Sequence, residues 1–62
     1  MTKAEKQAIT NAFENCINRE KRLAAGYIEF NPADKERRER DKDLVISGIQ
    51  SMFYEIEKQL EA

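Results

Sequence analysis

Few side chains in this sequence have the chemistry of an active site. There is no histidine, the most frequent general acid–base residue, and Cys16 is the single cysteine. Glu55 and Glu57 lie two residues apart, so on a helix they diverge by about 200° and cannot act as a pair. No glycine-rich phosphate loop or Glu-x-x-His metal motif occurs. We therefore expect a non-enzymatic protein with no metal, cofactor or small-molecule substrate.

Cys16 could be a redox-sensitive thiol or could form a disulfide across a dimer axis. It stands between Phe13 and Ile17 in an apolar pattern with helical spacing. Free cysteine is among the most frequently buried residue types. We therefore predict that Cys16 is a small core side chain.

Residues 34–43 are all charged, five of each sign. Four of their basic side chains could contact the phosphates of a nucleic acid, which is our alternative function: Arg37, Arg38, Arg40 and Lys42. The five interleaved acids would repel a polyanion, and opposite charges four residues apart favour a solvated helix instead. Because the net charge of the chain is only −1, we expect nucleic acid to be a poor partner.

Two amphipathic helices are predicted, one about 3–26 and one about 32–60. Thr2 and Glu5 fit a capping box at the first start, and Gly26 is a plausible stop. Asn31 and Pro32 form a typical helix start, which leaves a loop at about 26–31. Apolar residues recur every three or four positions in both segments, as at Ile9, Ala12, Phe13, Ile17, Ile46, Ile49, Phe53, Ile56 and Leu60.

The predicted fold is all-α: a two-helix antiparallel hairpin forming one domain over 1–62. The single seam of such a hairpin cannot bury enough apolar surface to offset the entropy of ordering 62 residues. No internal disulfide is possible with one cysteine, so we expect association. The simplest form is a twofold homodimer that builds a four-helix bundle. An alternative is that the second helix forms an extended coil with a copy of itself.

A turn near residues 28–30 predicts which residues face each other across the hairpin. The expected pairs are Ile17 with Lys42, Phe13 with Ile46, and Ile9 with Ile49. Glu20 falls in the apolar stripe of the first helix, and we predict that it meets Arg38 or Lys42. Gly48 lies within the second helix, where it either permits close approach of another backbone or is simply tolerated.

Five apolar residues are our candidates for binding a partner: Tyr27, Ile28 and Phe30 in the predicted loop, and Leu44 and Tyr54 outside the main stripe of the second helix. The three in the predicted loop either form an exposed epitope or close the bundle over Leu23 and Ala24. We expect a small protein-binding module, such as a regulator or inhibitor of a larger intracellular protein. A purely structural self-assembly unit is a further alternative.

The apolar runs in the sequence are short, and the first residues lack the apolar stretch of a secretion signal. From these features we expect a cytoplasmic protein with no membrane association.

Overall fold

The structure, a computed structural model, describes residues 2–61, which form two long helices joined by a short turn. Helix α1 spans Lys3–Phe30, a single 3₁₀ turn spans Pro32–Asp34, and helix α2 spans Lys35–Glu61. Helix α2 packs back along α1. The predicted all-α helical hairpin is therefore confirmed. Within residues 2–61, neither helix contains a stretch that is long and apolar enough to cross a membrane.

The capping box at the start of α1 is present as predicted. The backbone N–H of Glu5 donates to Thr2 Oγ1 at 3.1 Å, and the backbone N–H of Thr2 donates to Glu5 Oε1 at 3.3 Å. These bonds satisfy two donors that a helix start otherwise leaves unpaired. They define the residue at which α1 begins.

The end of α1 differs from our prediction, because the helix continues through Gly26 to Phe30. Tyr27, Ile28 and Phe30 are therefore helical residues rather than loop residues. Gly26 does not take a positive φ, and the cost of about 1 kcal/mol for glycine within a helix is small enough to be tolerated. The helix ends at Asn31, whose N–H donates to the carbonyl oxygens of Tyr27 and Ile28 at 2.9 and 3.2 Å.

The facing residues also differ from our prediction at the end of the hairpin away from the turn. The rings of Phe13 and Phe53 lie 4.9 Å apart, so Phe13 meets a residue seven positions beyond Ile46. Ile9 lies beside Phe53 and Leu60 rather than beside Ile49. In an antiparallel hairpin, moving the turn by one residue along the chain shifts the residue that faces a given position by two. The observed turn lies at residues 31–34 instead of 28–30, which accounts for a shift of about seven residues. Seven residues are two helical turns, so the same apolar stripe still faces α1.

The hairpin is a thin plate, with Cα extents of 46 × 18 × 6 Å. Among residues 2–60, only Ala24 is buried. The chain exposes 5009 Å², whereas a compact monomer of 7.3 kDa exposes about 4,200 Å². One layer of two helices cannot enclose a core, because each helix contacts only one neighbour. Apolar side chains beside the seam therefore remain open to solvent.

Candidate functional site

An open groove runs between the helices on one broad face of the plate, which we call the groove face. Its lining is mostly apolar and comes from both helices: Cys16, Arg19, Glu20, Leu23, Val45 and Ile49. Leu23 is 55% exposed and Val45 is 44% exposed. Met52 lies three residues beyond Ile49 on the same helical stripe and is also exposed. Large apolar side chains from both helices thus meet solvent along one face.

Cys16 lines this groove and is exposed, so our prediction of a core side chain is wrong for the single chain. Its position explains the error. The helix centres its seam on Phe13, Ile17 and Ala24, which places Cys16 at the edge of the stripe. Helix α2 covers only the centre of the α1 stripe and leaves that edge exposed.

The opposite broad face is mainly polar. A rise of 100° per residue places six exposed polar or charged residues on that side of the seam: Glu14, Asn18, Lys21, Asp43, Gln50 and Glu57. The plate is therefore amphipathic across its thickness. An apolar partner would find a compatible surface on the groove face.

Glu20 and Arg38 form a cross-hairpin ion pair, as predicted. Arg38 Nη2 lies 2.8 Å from Glu20 Oε1, and the two side chains are only 19% and 15% exposed. Lys42, the other expected partner of Glu20, lies 3.6 Å from the carboxylate of Asp43. The Glu20–Arg38 pair ties the two helices together at the edge of the groove.

The turn is held by a network centred on Asp34. Tyr27 donates its hydroxyl to Asp34 Oδ2 at 2.7 Å, and Arg37 Nη2 donates to the same oxygen at 3.3 Å. The Tyr27 hydrogen bond, followed by the Arg37 guanidinium, holds the pKa of Asp34 below its ordinary value. The same hydrogen bond raises the pKa of Tyr27, because it stabilises the protonated phenol. Arg37 also contacts Asp41 at 3.4 Å, one of the predicted pairs on α2.

The five predicted partner-binding residues do not form one patch. Phe30 is 82% exposed beside the turn, so it does not close over Leu23 and Ala24. Leu44 and Tyr54 are 68% and 61% exposed along α2, about 15 Å apart by helical rise. Tyr27 takes part in the turn network, and Ile28 is half-buried. Phe30, Leu44 and Tyr54 thus remain available as separate contact points.

Three of the four basic residues proposed for nucleic-acid binding have carboxylate neighbours. Arg37 contacts Asp34 and Asp41, Arg38 contacts Glu20, and Lys42 contacts Asp43; Arg40 is exposed. Paired cations present little net positive charge to a phosphate backbone. In the described part of the chain, no three cysteine, aspartate or glutamate side chains are grouped to hold a metal ion.

The groove itself was not among our predicted binding residues. Leu23 and Val45 belong to the apolar stripes, and helical periodicity alone predicts that such stripes are buried in a core. The informative signal was the width of the stripes. They extend further round each helix than one neighbouring helix covers.

No protein-family model, curated protein or solved structure matches the chain.

Proposed function

We propose that this chain is a small, non-enzymatic protein-binding module that works as a dimer, with two hairpins forming a four-helix bundle. The observation that carries the proposal is the exposure of large apolar side chains on a chain with only one buried residue among those described. Soluble proteins rarely leave much contiguous apolar surface uncovered unless it serves an interaction. The proposed mechanism is occlusion or bridging of a larger protein, without chemistry.

Phe30, Leu44 and Tyr54 are the contacts that we propose for this larger protein, with Tyr27 and Ile28 supporting Phe30. Phe30 carries the most weight, because an aromatic ring that is 82% exposed is a typical anchor for a partner's pocket. Leu44 and Tyr54 lie outside the groove lining. They therefore stay available when the groove face is covered.

A photo-crosslinking residue at position 30 tests the proposal. We would replace Phe30 with p-benzoylphenylalanine, irradiate the chain in extracts of the cells that produce it, and identify the adducts. The matched control places the same residue at Glu29, which is the exposed neighbour on the same helix. We expect one specific heterologous adduct from position 30 and a much weaker one from position 29.

Two results would count against the proposed function. Adducts that are equally abundant from both positions would indicate non-specific contact. Adducts to the chain itself, with no other protein, would favour a self-assembly unit. Circular dichroism of Phe30→Ala adds a second criterion. A binding epitope predicts retained helicity, whereas a self-assembly core predicts loss of folding.

A further inference from the structure

We infer that the groove face seats a second copy of this chain, through Leu23, Val45, Ile49 and Met52 with Cys16 beneath the contact. This inference rests on the proposed dimer and names the surface that forms it. It also separates that surface from Leu44 and Tyr54, which we assign to a different protein.

The first support is area. Two separate chains expose twice 5009 Å², whereas a compact protein of their combined mass exposes about 6,900 Å². Closing that difference buries about 3,100 Å² in total, which lies within the roughly 2,000–5,000 Å² typical of obligate homodimers. Two compact monomers would account for about 1,400 Å² of this by the same scaling, so the excess exposed by two open hairpins is about 1,700 Å², which is the size of a standard specific interface.

The second support is the difference between the two broad faces. The groove face is mostly apolar along both helices, and the opposite face carries Glu14, Lys21, Asp43 and Glu57. Two such plates that meet face to face bury both grooves and leave two polar faces in water. A twofold contact of this kind is closed and stops at the dimer.

The third support is charge. The net charge of the chain is −1, so two copies bring little repulsion to the contact. The charged residues that line the groove are one of each sign, Arg19 and Glu20. Glu20 is already neutralised by Arg38. Arg19 is the charge that remains in the lining, and its exposed side chain can keep its guanidinium in water at the rim of the contact.

Cys16 provides the test, because it is the sole thiol in the chain and is exposed in a single hairpin. We would measure molar mass by sedimentation and the rate of Cys16 alkylation by iodoacetamide in the same samples. The rate in denaturant gives the reference for an open thiol. We expect the mass to double and alkylation to slow by at least about tenfold, since modification of a covered thiol requires opening.

A matched pair of leucines gives a second readout. Leu23→Gln changes the groove and Leu44→Gln changes an exposed site outside it. We expect Leu23→Gln to weaken dimerisation on the order of tenfold or more and Leu44→Gln to leave it unchanged. A dimer with a fully reactive thiol would overturn the inference while sparing the proposed dimer. A folded chain that stays monomeric would overturn both the inference and the proposed dimer. Equal effects of Leu23→Gln and Leu44→Gln on dimerisation would overturn the assignment of the contact to the groove.

Discussion

Arg38 reaches from α2 to Glu20 on α1, and their nitrogen and oxygen atoms lie 2.8 Å apart at less than one-fifth side-chain exposure. Both residues occupy positions that a simple apolar seam would fill with aliphatic side chains. Burying the pair costs hydration of both charges, so the gain in stability is small, but removing one partner leaves the other charge uncompensated. The pair therefore favours one alignment of the helices over slipped alternatives.

A double-mutant cycle on Glu20→Ala and Arg38→Ala measures this coupling. We expect a coupling free energy of about 1.5 kcal/mol, because residues in direct contact within an ion pair couple by roughly 0.5–3 kcal/mol. The exposed pair Arg37–Asp41 is the matched control, and its coupling should be a few tenths of a kcal/mol at most, about the value of a surface helix pair. Chemical denaturation at one fixed protein concentration gives all the values. If the effects of Glu20→Ala and Arg38→Ala were additive, the two side chains would not be coupled and the pair could not set the alignment of the helices.

The contact between Phe13 and Phe53 predicts a second coupling. Their ring centroids lie 4.9 Å apart at a tilted angle, so a cycle on Phe13→Leu and Phe53→Leu should give about 0.5–1.5 kcal/mol. The control pairs Phe13→Leu with Ile46→Val, two positions that a turn at residues 28–30 would bring together. Near-zero coupling is expected there. The reverse order of the two couplings would mean that the turn lies closer to residues 28–30.

The turn network predicts a pH dependence at both extremes. The pKa of Asp34 is lowered below 3.8, so the network stabilises the fold above that pH and this stability is lost as pH falls through the lowered pKa. The pKa of Tyr27 is raised above 10.0, so its contribution is present below pH 10.0 and is lost as pH rises through the raised pKa.

Tyr27→Phe isolates the hydrogen bond that causes both shifts. Without the phenol donor, the pKa of Asp34 should rise towards its ordinary value, although Arg37 still holds it somewhat lower. An NMR titration of the Asp34 carboxyl carbon measures this directly. Tyr54→Phe is the control, because Tyr54 is exposed on the other helix. An unchanged Asp34 pKa in Tyr27→Phe would show that the hydrogen bond is not formed in solution.

The two glycines form another matched pair. A Cβ at Gly26 or Gly48 would meet nothing within 4 Å of the same chain, so alanine at either site should stabilise its helix by about 1 kcal/mol. Thermal unfolding of Gly26→Ala and Gly48→Ala measures the gain. A loss of stability in Gly26→Ala would contradict the open surroundings of that residue. A gain at Gly26 without one at Gly48 would place a second chain close to Gly48.

The fold could be predicted from local signals that act along one helix. The capping box at Thr2 and Glu5 and the apolar periodicity depend only on nearby residues, and the structure confirms both. The predicted helix start at Asn31 and Pro32 is met only in part, because Pro32 opens a 3₁₀ turn, the Asn31 side chain makes no cap hydrogen bond there, and α2 begins at Lys35. The Glu20–Arg38 pair followed from the two stripes, since both residues interrupt apolar faces. The residue at which α1 ends could not be predicted from the sequence, because Gly26 is compatible with both a helix end and a helix interior.

The candidate site was harder to predict than the fold. Periodicity shows that Cys16, Leu23 and Val45 lie on or near apolar stripes, but it does not show how much of a stripe a single neighbouring helix covers. That coverage depends on the number of helices in the final assembly. The exposed residues outside the stripes, Phe30, Leu44 and Tyr54, were easier to identify because a helix places them away from any seam.

Sedimentation equilibrium across a dilution series, with circular dichroism at each concentration, tests the central claim that the hairpin is completed by a second copy. We predict a molar mass of twice 7.3 kDa at high concentration and a loss of helicity as the dimer dissociates on dilution. A mass of 7.3 kDa with full helicity at every concentration would contradict the account, because the single plate would then be stable with its apolar face in water.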